Sequence, residues 1–223
     1  MNQDHVVQGR TESGALQANQ VLRNTYMLLS MTLLFSAVMA GAAMALNVSH
    51  IVGLVALFAG LGVSFAINRY AESITGLWLS FLFTGLLGFS LGPILNYYLA
   101  TLANGGEIIM TALGGTGVIF LGLSAYALTT KKDFSFLGAF IGVGMLVVFA
   151  GMIAAMIFQL PMVSLALSGA IILLMSALIL YQTSAIIRGG ETNYILATVT
   201  LFVSIYNLFT SLLHILAAFA GER

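Results

Sequence analysis

Tyr194-Ile-Leu-Ala-Thr-Val-Thr-Leu-Phe-Val-Ser-Ile-Tyr-Asn-Leu-Phe-Thr-Ser-Leu-Leu-His-Ile-Leu-Ala-Ala-Phe219 is the stretch whose reading decides the fold. It exceeds the roughly 20 apolar residues, at about 1.5 Å each, that span the hydrocarbon of a bilayer. It also carries Thr200, Ser204, Asn207, Ser211 and His214, spaced four, three, four and three residues apart. At about 100° per residue these five side chains fall within an arc of about 80° on one helical face. Facing lipid, such a stripe would leave donors and acceptors unpaired in hydrocarbon, which is costly. The segment is therefore expected to be the central pillar of a helical bundle, its stripe turned toward other helices or a wet cavity.

The rest of the chain agrees. Hydrophobic residues make up 60 % of the 223 and charged residues 6 %, against about 25 % charged in a soluble domain. Mean hydropathy is +1.06. The apolar runs are long and continuous, unlike the short alternating strands of a transmembrane barrel. The composition is that of an all-α polytopic membrane protein. A formal net charge of zero gives no basis for nucleic-acid binding, and the absence of cysteine excludes disulfides and thiolate chemistry.

Seven apolar runs follow one another, at about 26–46, 51–67, 74–99, 108–128, 134–158, 162–187 and 194–219. Before them lies a polar segment, residues 1–24, expected to be a mobile cytoplasmic tail with a short interfacial helix at Leu16–Leu22. The seven-helix domain is then 25–220. Ala43-Met44-Ala45 mimics a signal-peptide cleavage site, but the run before it is longer than an h-region and reads as an uncleaved span. Placing the N-terminus in the cytoplasm puts Arg10, Arg23, Arg69, Lys131, Lys132 and Arg188 inside and leaves Arg223 outside, six against one. The positive-inside rule favours that orientation, with the C-terminus periplasmic.

Glycines recur at helical spacing. Gly85, Gly88 and Gly92 lie in the third run, Gly114, Gly115, Gly117 and Gly122 in the fourth, and Gly138, Gly142, Gly144 and Gly151 in the fifth. Small residues so spaced let membrane helices approach closely, and tight packing is the expected role of them all. Gly114-Gly-Thr-Gly117 lacks the lysine of a phosphate loop and lies at mid-membrane depth. Pro93, after Gly92, is expected to kink the third helix.

Chemistry has few carriers. No Asp, Glu, Lys or Arg lies inside any run, which argues against carboxylate-based proton pumping, ion coupling or aspartyl proteolysis. Ser168 and His214 are the only loosely matched serine-nucleophile candidates, and no G-x-S-x-G elbow surrounds Ser168. No H-E-x-x-H motif occurs, and His5, His50 and His214 are scattered. No catalytic residue, cofactor or metal ligand is assigned. His214 is expected near the outer headgroups, as an interfacial residue. Ser204 and Asn207 read as interhelical glue in preference to the lining of a polar path. Gln182 and Ser204, near the cytoplasmic ends of neighbouring antiparallel helices, are expected to share one polar pocket.

Several of these stretches resemble one known family. Gly85-Leu-Leu-Gly-Phe-Ser-Leu-Gly-Pro-Ile-Leu95, Thr111-Ala-Leu-Gly-Gly-Thr116 with Phe120, Leu180-Tyr-Gln-Thr183 and Leu201-Phe-Val-Ser-Ile-Tyr-Asn-Leu-Phe209 resemble the Bax inhibitor family across residues 20–220. Val21-Leu-Arg-Asn-Thr-Tyr26, Leu128-Thr-Thr-Lys-Lys-Asp-Phe-Ser-Phe-Leu-Gly138 and Gly189-Gly-Glu-Thr-Asn-Tyr-Ile195 resemble its bacterial YccA-like branch. The resemblance implies seven transmembrane helices with the seventh surrounded by the other six. It also implies a calcium leak path closed in many members by a proton-sensitive pair of aspartates. The matching positions here are Gln182 and Ser204, neither of which ionises, so a carboxylate latch has no counterpart. For the YccA-like branch the implied partner is the membrane-anchored ATP-dependent protease FtsH, and a polar cytoplasmic tail suits a handle for such a protease. The two functions carried forward are modulation of FtsH and, as the alternative, a calcium or cation leak lined by Thr200–His214.

Overall fold

The computed structural model describes residues 3–130 and 132–221, with side-chain surroundings from Leu16 onward. Seven helices make up the described residues: α1 (Gln3–Ala45), α2 (His50–Tyr70), α3 (Ile74–Thr101), α4 (Gly105–Thr130), α5 (Leu137–Phe158), α6 (Pro161–Ile187) and α7 (Tyr194–Gly221). All seven contain a segment long and apolar enough to cross a membrane. The runs expected from hydropathy coincide with α2 to α7 within three residues at both ends.

The first run does not, because α1 begins at Gln3 and runs for 43 residues. The polar segment is thus helical and continuous with the first span instead of a separate tail. No proline interrupts it, and Leu16-Gln-Ala-Asn-Gln-Val-Leu22 consists largely of good helix formers. Val21 is already buried, against Ile186 and Ala197. Lys131 and Arg223, two of the seven basic residues, lie outside the described residues.

Short, sterically specified turns join the helices. Asn47 and Gln159 adopt left-handed φ values of 48° and 50° at the ends of α1 and α5, and Pro161 occupies the first turn of α6, where its missing N–H costs nothing. Gly189, at φ 74°, allows the chain to leave α6. Asn193 then caps α7: its Oδ1 accepts from the Ile195 and Leu196 amides at 2.9 and 3.2 Å, and its Nδ2 donates to the Ala71 carbonyl at 3.0 Å. One side chain so ties the central helix to the α2–α3 turn. Asn193→Ala is expected to lower stability by about 1–2 kcal/mol, read as an earlier midpoint in denaturant unfolding in mixed micelles. An unchanged midpoint would show the cap to be dispensable.

α7 is the pillar. It packs against α1, α3, α4 and α6, and between Tyr194 and Ala220 only Phe219 is exposed. Leu201, Phe202, Leu208 and Leu213 are among its most deeply buried side chains. Four helices, not six, are its substantial neighbours: α2 joins the bundle through α3, and α5 through α6.

Glycine explains the α1–α3–α2 layer. A Cβ on Gly88 would strike the Ser36 carbonyl, one on Gly92 the Ala43 methyl, and one on Gly85 would lie 2.6 Å from the Phe35 ring. On α2, a Cβ at Gly53 would lie 3.0 Å from Pro93 Cγ, so the proline ring fills the space the glycine leaves and α3 stays one helix through it. In α5, Gly144 and Gly151 receive Leu174 and Leu167 of α6. The packing role does not extend to Gly114, Gly117, Gly122 and Gly142, where nothing lies within 4 Å. Spacing alone does not say which face of a helix meets a neighbour.

Candidate functional site

The polar stripe of α7 divides into two regions. In the first, Ser204 is fully buried and its hydroxyl donates to the Thr200 carbonyl at 2.9 Å. Asn207, a turn further on, donates its amide to Val203 O at 2.8 Å. Both bonds stay within α7, and among the described residues neither side chain hydrogen-bonds to another helix as the glue reading expects. Gln182 is 6 % exposed and its Nε2 has no partner among the described residues. Gln182 and Ser204, expected to share one polar pocket, make no hydrogen bond to each other among the described residues. Thr25 and Tyr26 of α1, Ser124 of α4 and Thr183 of α6 also hold buried hydroxyls without a partner. The Tyr26 ring lies tilted against Phe120, centroids 6.0 Å apart, one turn from Ser124.

The second region is open. A cavity of about 490 Å³ lies between α5 and α7 on a floor of α6. Asn207, Thr210, Ser211 and His214 line it from α7, and Ser164 and Ser168 from α6. Three residues of the expected stripe therefore share this cavity, whereas Thr200, Ser204 and Gln182 do not line it. His214 is half-buried, and its Nδ1 sits 2.8 Å from Ser168 Oγ. It is thus not a free interfacial histidine. This is the one side-chain hydrogen bond joining α6 to α7 among the described residues. The two residues are 46 positions apart, so only the helix packing reveals them as partners.

Their protons can be counted. Ser168 Oγ lies 3.2 Å from the Ser164 carbonyl, which can only accept. With the single hydroxyl hydrogen directed at that carbonyl, His214 Nδ1–H donates to Ser168 Oγ and Nε2 is an acceptor; with it directed at Nδ1, Nε2 carries the ring hydrogen. A nucleophilic serine needs the second arrangement together with an acid that orients the ring. No Asp or Glu lines the cavity. Nor do three or more His, Asp or Glu side chains converge anywhere among the described residues in a way suited to a metal ion.

The opposite end of the bundle carries Arg23, Arg69, Lys132 and Arg188. Asp133 meets Arg188 at 3.2 Å, and both side chains are about half exposed. Its carboxyl is held below the usual range, first by the Ser135 hydroxyl and amide and then by Arg188. Such an exposed pair adds little stability. Ser184 does more, donating to the Lys132 carbonyl at 3.1 Å and accepting from the Phe134 amide at 3.3 Å. It pins the α4–α5 connection onto α6.

The profile of the family described as Inhibitor of apoptosis-promoting Bax1 matches residues 18–221, nearly the whole chain. The chain belongs to the Bax inhibitor family. Among its relatives, the Escherichia coli K12 protein named Modulator of FtsH protease YccA is 51 % identical over 202 residues, covering 90 % of this chain and 91 % of the relative. An uncharacterized membrane protein of Vibrio cholerae is 48 % identical over 90 % of both chains. An uncharacterized protein of Neisseria meningitidis is 35 % identical over 218 residues, 92 % of this chain and 93 % of its own. The matched span runs from the buried part of α1 to the end of α7. It therefore takes in the glycine layer, the α7 cap and both regions of the stripe.

Proposed function

We propose that this chain is an inner-membrane modulator of a membrane-anchored ATP-dependent protease of the FtsH type. The observation that carries the reading is the 51 % identity, over 90 % of the chain, to a protein named as a modulator of that protease. A protein of a second Escherichia coli strain, also 51 % identical over 90 % of the chain, is named Inner membrane protein YccA. The site chemistry is in keeping with a binding role, since no Asp or Glu lines the cavity to orient His214. In this reading the N-terminus is cytoplasmic, with Arg23, Arg69, Lys132 and Arg188 on the inner face. The polar first half of α1 then projects as a handle beside the protease. Action is by contact: helices pack with helices in the bilayer, and α1 engages the cytosolic part.

The leak-channel alternative has less behind it. Its latch positions hold Gln182 and Ser204, which neither ionise nor bond to each other. Affinity capture of the tagged protein from solubilised native membranes is expected to recover the FtsH-type protease. Removing the gene is expected to change the turnover of a membrane substrate of that protease. Capture without the protease, together with unchanged turnover, would rule the proposal out.

A further inference from the structure

The cavity between α5 and α7 has two unlike walls. Met152, Ala155 and Met156 of α5, with Leu167 and Ile171 of the floor, are apolar, while the α7 wall is Asn207, Thr210, Ser211 and His214. Its volume of about 490 Å³ is that of a site for a small organic ligand. Methionine surfaces adapt to flexible chains of varied shape. A second cavity, about 430 Å³ between α1, α3, α4 and α7, has almost wholly apolar walls, and its Tyr206 hydroxyl is paired with Ser90 at 3.1 Å. Its other polar side chains are Ser36 and Thr116, and Thr116 donates within its own helix at 2.7 Å.

The unused hydrogen-bonding capacity of the first cavity is specific. Asn207 and Thr210 spend donors on the Val203 and Tyr206 carbonyls. His214 Nδ1 is spent on Ser168. What remains is Nε2 of His214, the Oδ1 and second amide hydrogen of Asn207, the Gln159 amide, and the Ser164 and Ser211 hydroxyls, whose side chains have no hydrogen-bond partner among the described residues. No Asp, Glu, Lys or Arg lines the cavity, so a permanently charged ligand would be buried without a counter-charge, at high cost. A carboxylic acid escapes that cost. With the ring hydrogen on Nδ1, its O–H donates to Nε2, and if the proton crosses, the pair becomes carboxylate and imidazolium with the same net charge of zero. Its carbonyl oxygen accepts from Ser211.

We propose that the α5–α7 cavity binds a single-chain amphiphile ending in a carboxylic acid, a long-chain fatty acid, with the acid on His214 and Ser211 and the chain along Met152, Met156, Leu167 and Ile171. The proposal is independent of the protease reading, and a complex that fails to form leaves it standing.

The test uses the full chain in phosphatidylcholine nanodiscs and a diazirine-bearing palmitic acid as photo-crosslinker. Label is expected on the Met152–Met156 and Leu167–Ile171 segments. Oleic acid should compete for it at a concentration about tenfold lower than oleyl alcohol, the difference of one good polar contact. His214→Phe is expected to abolish that preference for the acid while alcohol still competes, which also reports that the variant is folded. Ala155→Trp, which fills the cavity, should remove the label altogether. Equal competition by acid and alcohol in the unaltered protein, or an acid preference that survives His214→Phe, would overturn the proposal, as would label confined to other helices.

Discussion

Gly88→Val is expected to leave little folded protein in the membrane. Gly88→Ala should lower stability by several kcal/mol, beyond the about 1–3 kcal/mol common for overpacking, read as an earlier unfolding midpoint in mixed micelles. The reason is what the new atom would meet. A Cβ at Gly88 would run into the Ser36 carbonyl of α1 and lie 2.8 Å from the Ser36 carbonyl carbon. Backbone cannot rotate aside as a side chain can. Relief would require α1 and α3 to move apart along a contact that continues through Gly85 and Gly92. Membrane helices have no hydrophobic effect to hold them together, so a lost close approach is not made up by other burial. Gly114→Ala and Gly122→Ala are the controls. Both positions have nothing within 4 Å, and alanine improves helix propensity by about 1 kcal/mol in solution scales. Both variants should therefore fold at least as well as the parent. Equal losses at Gly88 and Gly114 would mean that the α1–α3 contact is not what these glycines serve.

That contrast also shows how far the sequence could be read. The number, length and order of the helices followed from hydropathy, because a bilayer imposes one length and one hydrogen-bonding solution on every span. The sheltering of α7 followed from five polar residues at helical spacing, and among α7 residues up to Ala220 only Phe219 is exposed. Which glycines matter could not be read, since Gly88 and Gly114 sit in equally glycine-rich runs and differ only in what the neighbouring helix places opposite them. The start of α1 was also missed. A polar composition argues against a span, but it does not argue against a helix. At the site, Ser168 and His214 were named together from their residue types, but their contact was not legible, because it depends on where α6 lies against α7. Ser204 and Asn207 looked like interhelical donors. In a helix, however, the nearest carbonyl is a residue's own i−4 oxygen, and both took it.

Gln182→Leu is the substitution that asks what the buried polar position at the other end of the stripe is for. The amide nitrogen of Gln182 is sealed from solvent and bonded to nothing among the described residues. A donor in that state costs about 1–3 kcal/mol, and leucine of similar bulk removes the cost while keeping the packing against Ile179 and Ile186, both fully buried one turn away on α6. The variant is therefore expected to be more stable than the parent by about 1–2 kcal/mol, read as a later unfolding midpoint in mixed micelles. Ser204→Ala should change little, since its hydroxyl serves only its own helix. A loss of stability in Gln182→Leu would mean that the amide is bonded in the bilayer by something other than protein, and that the bundle is wet between α1, α4 and α6. A gain in stability accompanied by weaker capture of the protease would carry a different meaning. A residue kept polar at the expense of the fold is kept for what the bundle does, and the position that matches the family's latch would then act here through a neutral amide, its effect indifferent to pH.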